Sequence, residues 1–250
     1  MFAGAAAVSD RPHNNLLRAL RPADYALIAS ALEPTDYPPR HLLYNPGDHV
    51  GTVYFPCGSS LVSYLVTSED GRDVETMLVG REGAVGGIVS RGNLPAYTRM
   101  IVQFGGPFVE LRLDVLEAAK AKSATMNSLF ARYADCMLAQ MVQAAACNAT
   151  HAIEQRTAKW IVSAMERTGD LIVPLTQEQL ASMLGVGRSY ASRVIQAFRR
   201  DGLLETRRGS LLVTNKDALA AKACLCNEQV KGHFETVLRG VYPTDAELQD

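Results

Sequence analysis

The sequence predicts an α+β chain in which short strands come first, one long helix follows, and a small helical unit closed by a hairpin comes after it. Three observations carry this. Residues 37–115 hold short apolar runs set apart by turn signals. Residues 114–147 contain neither proline nor glycine and are rich in alanine, leucine and methionine. Residues 151–214 place helical patterns around a glycine and end in two short runs flanking an arginine-rich turn.

The chain has 250 residues, enough for two hydrophobic cores. Hydrophobic residues make up 48% and charged residues 20%, the balance of a globular protein. No run of 18 apolar residues exists, so no membrane partner is expected. The N-terminal stretch MFAGAAAVSDRPHNN lacks a basic start and a sustained apolar segment, so it reads as a disordered lead-in rather than a secretory signal. The lead-in is assigned to residues 1–36, and the chain is expected to be cytoplasmic. Five scattered cysteines give no disulfide framework. The net charge of −1 hides an asymmetry: residues 151–214 carry nine Lys and Arg against six Asp and Glu. That excess is the only positive one along the chain, and it marks the segment to search for a nucleic-acid partner.

In the strand region, Asn45-Pro46-Gly47-Asp48 is a turn. Val53–Phe55, Leu61–Val66, Val74–Val79 and Met100–Phe104 are strands. Glu69-Asp70-Gly71-Arg72 joins the second and third as a hairpin, since Asp-Gly tolerates the positive φ that such turns need. Short strands at this spacing indicate a sandwich or barrel. In the helical stretch, Met126, Phe130, Tyr133, Met137, Gln140, Ala144 and Cys147 recur at alternating spacings of four and three. This is a heptad seam, which predicts a homodimer interface with Gln140 fixing the register. The same spacing also serves a helix packed on its own domain. The helical period breaks near Asn148-Ala149-Thr150, a candidate hinge.

The next segment is more specific. Ile153–Met165 is amphipathic and ends at Thr168-Gly169-Asp170. Thr176-Gln177-Glu178-Gln179 has the form of a capping box, in which each terminal side chain satisfies the other residue's backbone N–H. Leu180, Ala181 and Leu184 form one face of the helix it starts. Gly185 allows the left-handed turn that ends that helix. A second helix runs from Gly187 or Arg188 to Arg200 and buries Ala191, Val194, Ile195 and Phe198. Its opposite face carries Arg188, Ser189, Ser192, Arg193 and Gln196, with no acid. Arginine can bond guanine bidentately and serine can serve bases or phosphates, so this helix-turn-helix points to double-stranded DNA. Leu203–Thr206 and Leu211–Thr214 then flank Arg207-Arg208-Gly209-Ser210, a hairpin wing placed to touch phosphates.

The segment LTQEQLASMLGVGRSYASRVIQAFRRDGLLETRRGSLLV resembles the Crp/Fnr superfamily of transcription regulators, and the likeness extends over about residues 37–214. It implies a β-roll (a double-stranded β-helix) of the cyclic-nucleotide-binding type at 37–115 and a dimerisation helix at 116–148. A winged helix-turn-helix follows at 149–214, and 215–250 form a C-terminal extension. The resemblance places Arg188 and Arg193 on the two guanine-reading arginines. The family often has glutamate directly after the first, where this chain has Ser189 and then Tyr190, which implies a variant site. The expected DNA-binding set is Thr176, Arg188, Ser189, Tyr190, Ser192, Arg193, Arg207 and Arg208. RNA polymerase joins as a partner if the chain activates transcription.

In this family a Gly-Glu-x-Gly stretch and an Arg-Ser pair bind a cyclic nucleotide. Here the first reads Gly83-Ala84-Val85-Gly86, with Glu82 just before it, and Thr98-Arg99 stands near the second. Glu82, Gly83, Ala84, Thr98 and Arg99 are therefore the candidate effector residues. The missing glutamate argues against cyclic AMP, so the small-molecule effector stays unknown and no cofactor is assigned. No metal site is assigned either, because Cys224-Leu225-Cys226 has no ligating neighbour along the chain. The rival reading is a cupin-like metal-binding protein or enzyme. It lacks the clustered histidines such sites need, so no enzyme activity is expected.

Overall fold

A computed structural model describes residues 10–88 and 94–241. These form two compact units. The first comprises Met1–Val62, Val79–Leu138 and His233–Asp250, and the second comprises Ser63–Leu78 and Ala139–Gly232.

The chain opens with helices α1 (Asn15–Ala19) and α2 (Pro22–Ala26) and a 3-10 turn at Ala29–Ala31. From residue 10 on, the segment read as a disordered lead-in is therefore folded. Leu16, Leu17, Leu20 and Ile28 are buried in the first unit's core. Polar side chains tie this segment down. Asn14 caps α1 by accepting from the Leu16 and Leu17 N–H groups, and its amide donates to the Pro56 and Gly83 carbonyls at 2.8 Å each. Arg11 donates to the Leu17 and Arg18 carbonyls at the other end of α1. Groups at a helix end that would lack partners are satisfied at both termini.

Strands β1 (Glu33–Tyr37), β2 (Leu42–Tyr44), β3 (Thr52–Pro56), β4 (Leu61–Thr67), β5 (Asp73–Val79), β6 (Arg99–Phe104) and β7 (Gly106–Arg112) follow. One sheet has the order β1-β7-β3, both pairings antiparallel. The other has the order β2-β6-β4-β5. The predicted strands are all present. β1, β2 and β7 are additional, and β7 begins at Gly106-Pro107. β7 is a central strand despite its proline, whose side chain sits at the first residues of the strand, where ladder bonds are dispensable.

Helix α3 (Leu113–Lys122) and helix α4 (Ala124–Thr150) replace the single expected dimer helix. Ser123 separates them with extended backbone. Its hydroxyl accepts from the Met126 N–H at 3.1 Å and donates to Asp24, so it starts α4 as a cap. Helix α4 runs unbroken through residues 148–150. The break lies one step later, at His151-Ala152, before helix α5 (Ile153–Thr168).

In the second unit α5 is followed by β8 (Ile172–Val173), α6 (Gln177–Met183), α7 (Arg188–Arg200), β9 (Leu204–Arg207), β10 (Ser210–Val213), α8 (Lys216–Lys222) and α9 (Cys226–Val237). The wing is a three-stranded antiparallel sheet of order β8-β10-β9. Most of the β4–β5 hairpin belongs to this unit, although its sequence lies in the strand region. Glu75 on β5 is half-buried and accepts from the Ser63 hydroxyl and the Trp160 indole N–H, each at 2.6 Å. Burial pushes its carboxyl up to about 7.

Candidate nucleic-acid interface

The helix-turn-helix forms as its residues predict. Thr176 Oγ1 accepts from the Gln179 N–H at 3.2 Å, and Gln179 Oε1 accepts from the Thr176 N–H at 2.9 Å. Gly185 has φ +68°, the left-handed conformation that closes the turn. The Val186 N–H bonds the Ala181 carbonyl at 2.9 Å, which folds the turn back on α6. On α7, Ala191, Val194, Ile195 and Phe198 are buried. Ile153, Ala158, Ile161 and Met165 of α5 are buried as well. Burial of these apolar stripes fixes the rotation of α7 and so decides which side chains face outward.

The outward set is basic and small. Arg188, Ser189, Tyr190, Arg193 and Gln196 are exposed, and Ser192 is half-buried. Arg193 lies over the Tyr190 ring, 5.3 Å from its centroid. This cation–π contact restricts the guanidinium before any partner arrives. Arg207 and Arg208 are exposed on the wing beside Gly209. Thr176 is exposed, but its hydroxyl is engaged with Gln179 in the capping box. The arrangement offers bidentate arginine donors on a helix that carries no acid, with two more arginines on a hairpin. The sequence named all these residues. It did not show the stacking of Tyr190 on Arg193, because two aromatic and cationic residues three apart need not touch.

The other expected sites fare differently. Met126, Phe130 and Tyr133 are buried against the first unit's own core, so they are covered within one chain and cannot form a seam between two. Met137 is packed against that same core. Gln140 donates to the Leu78 carbonyl at 3.0 Å, so its amide is not left to pair with a symmetry mate. Ala144 is half-buried. The side of α4 that stays exposed carries Leu138, Met141 and Val142, at 55%, 42% and 62% exposure. Heptad spacing marks a buried stripe on α4 and does not say what covers it, because a stripe packed on the chain's own core has the same period as one packed on a partner.

Among the effector candidates, Glu82 accepts from the Gly80 N–H at 3.0 Å. Gly83 and Ala84 are buried. A Cβ added to Gly83 would overlap the Tyr133 hydroxyl, and the Ala84 N–H donates to that same oxygen at 3.2 Å. Tyr133 thus fills the space beside this stretch. Thr98 and Arg99 are half-buried at the start of β6. The structure does not leave Cys224 and Cys226 isolated: both are buried, and Cys147 and His151 converge on them.

Among the described residues no helix is long and apolar enough to cross a membrane. Residues 155–222 match the family model of the Crp-like helix-turn-helix domain. No curated protein matches the chain in sequence. Among solved structures, FixK2 from Bradyrhizobium japonicum superposes with a TM-score of 0.65 at 14% identity, covering 77% of this chain and 98% of that one. A putative transcriptional regulator of the crp/fnr family from Eubacterium rectale gives 0.64 at 15% identity, covering 83% and 96%. The c-di-GMP responsive global regulator CLP from Xanthomonas campestris gives 0.63 at 17% identity, covering 77% and 99%. At these identities the likeness establishes the fold.

Proposed function

We propose that this chain, a transcriptional regulator of Crp/Fnr type by its fold and its Crp-like DNA-binding domain, acts as a homodimer on a palindromic operator. The observation that carries the reading is the exposed face of α7, where Arg188, Ser189, Tyr190 and Arg193 stand clear of the buried stripe. Arg188 and Arg193 read guanines in the major groove, and Ser189 meets the base pair between them. The wing arginines Arg207 and Arg208 and the α6 cap at Thr176 lie against the backbone and set the register without reading sequence.

Two such helices engage successive major grooves when the half-sites lie about 34 Å apart, one helical turn. The dimer contact is assigned to α4, through the exposed Leu138, Met141 and Val142 rather than the buried seam. A signal other than cyclic AMP acts through the β-roll and shifts the population of DNA-competent dimer. Such a regulator works in the cytoplasm, and an activating one also meets RNA polymerase.

Selection from a randomised duplex pool tests this. The expected product is a two-fold symmetric site, and Ser189→Glu should change the preferred base at one position of each half-site. Recovery of asymmetric or unrelated sequences, or the same site from both proteins, would contradict the reading.

A further inference from the structure

Three cysteines and one histidine, drawn from two distant parts of the chain, meet in the second unit. Cys147 and His151 are four residues apart, so the last turn of α4 and the residue just past it present them on one side. Cys224 lies in the short link between α8 and α9, and Cys226 is the first residue of α9. The Sγ atoms of Cys147 and Cys224 are 3.6 Å apart, and Cys226 Sγ is 3.5 Å from His151 Nδ1. All four potential donor atoms fall within 4.8 Å of one another.

A tetrahedral zinc ion has bonds of about 2.3 Å to sulfur and about 2.0 Å to nitrogen. Tetrahedral angles then place sulfurs about 3.8 Å apart and sulfur and nitrogen about 3.5 Å apart. The two closest contacts match that pattern. We propose that Cys147, His151, Cys224 and Cys226 form a mononuclear zinc site of three thiolates and one imidazole. All four protein positions are filled, so the site is closed and structural rather than catalytic. Sulfur-rich tetrahedral donors favour zinc over the oxygen-seeking calcium or magnesium.

The surroundings support it. Among the described residues Cys147, Cys224 and Cys226 form a buried cluster of their own. The Lys159 ammonium lies 3.5 Å from Cys147 Sγ. Zinc displaces three thiol protons, and the resulting centre carries one net negative charge. Lys159 is placed to offset that charge, whereas neutral thiols would return little for holding an ammonium there. Zinc would fasten the C-terminal extension to the junction of α4 and α5. That gives residues 215–232 a role: they complete the ligand set and hold the start of the DNA-binding domain.

The test uses the full chain, purified under reducing conditions without added metal. Elemental mass spectrometry should find about one zinc per chain. After chelation, titration with cobalt(II) alone should produce the intense visible bands of a tetrahedral centre and thiolate charge-transfer absorption. Cys224→Ser and Cys226→Ser should each weaken cobalt binding by at least about tenfold. Cys57→Ser, in the first unit, should leave it unchanged. A trace zinc content together with the pale spectrum of octahedral cobalt in the wild-type chain overturns the proposal, whatever the variants do. So does unchanged binding in Cys224→Ser, iron in place of zinc, or a Cys147–Cys224 disulfide in the freshly purified protein.

Discussion

Glu75→Gln should remove a pH dependence from the stability of the second unit. Glu75 is half-buried, and loss of hydration raises its carboxyl pKa from the ordinary 4.5 to about 7. The Ser63 and Trp160 hydrogen bonds, and the charges of Lys159 and Arg167, oppose that rise without cancelling it. The sign follows from linkage. Between these two values the unfolded chain has released its proton while the folded chain still holds it, so stability falls as pH rises and then levels off above about 7. With these values the loss between pH 5 and pH 8 comes to about 2–3 kcal/mol. Glutamine has nearly the same shape and does not titrate. It exchanges one acceptor for a donor, and that cost is the same at every pH. The stability difference between variant and wild type should therefore move by about 2–3 kcal/mol in favour of the variant over this range. Urea unfolding followed by the fluorescence of Trp160, the only tryptophan, reads the unit concerned. A difference that stays flat with pH, or one that moves toward the wild type, would refute the reasoning.

Other outcomes follow from the same physics. Phe198→Ala removes a wholly buried ring from α7 and should cost about 3–5 kcal/mol in chemical unfolding of the second unit. Gly83→Ala forces a methyl group into the Tyr133 hydroxyl and should destabilise the first unit by about 1–3 kcal/mol, seen as a lowered unfolding midpoint. Arg207→Ala and Arg208→Ala should each weaken binding to all duplexes alike and reduce the slope of log affinity against log salt by about one.

The parts of this molecule that were legible in the sequence are those specified locally. The Thr176–Gln179 capping box, the positive φ of Gly185 and the apolar stripe of α7 each involve residues within one turn or one helix face. Long-range partners were not legible. The period that links Met126, Phe130 and Tyr133 says that one face is buried, and it does not say against what. Tyr133 reaches Ala84 and Gly83, about fifty residues away, and that contact claims the stripe for the chain's own core. The same limit hid the N-terminal helices. Leu16 and Leu17 sit in a polar segment too short to show periodicity, and Arg11 and Asn14 stabilise it through backbone carbonyls and amides that no pattern records. It also hid the cysteine cluster, because Cys147 and Cys224 are separated by 77 positions. The β4–β5 hairpin is a further case. The strands and their Asp-Gly turn are plain in the sequence, but the partnership of Glu75 with Trp160 spans 85 residues.

The central claim is that Arg188 and Arg193 on α7 read bases. The direct measurement is the affinity ratio of a selected operator duplex to a scrambled duplex, by fluorescence anisotropy at fixed salt, for wild type and Arg193→Ala. The wild-type chain should prefer the operator strongly. The variant should lose about 1–3 kcal/mol of that preference, while its binding to the scrambled duplex changes little. Equal affinity of the wild type for both duplexes, or an undiminished preference in the variant, would contradict the account.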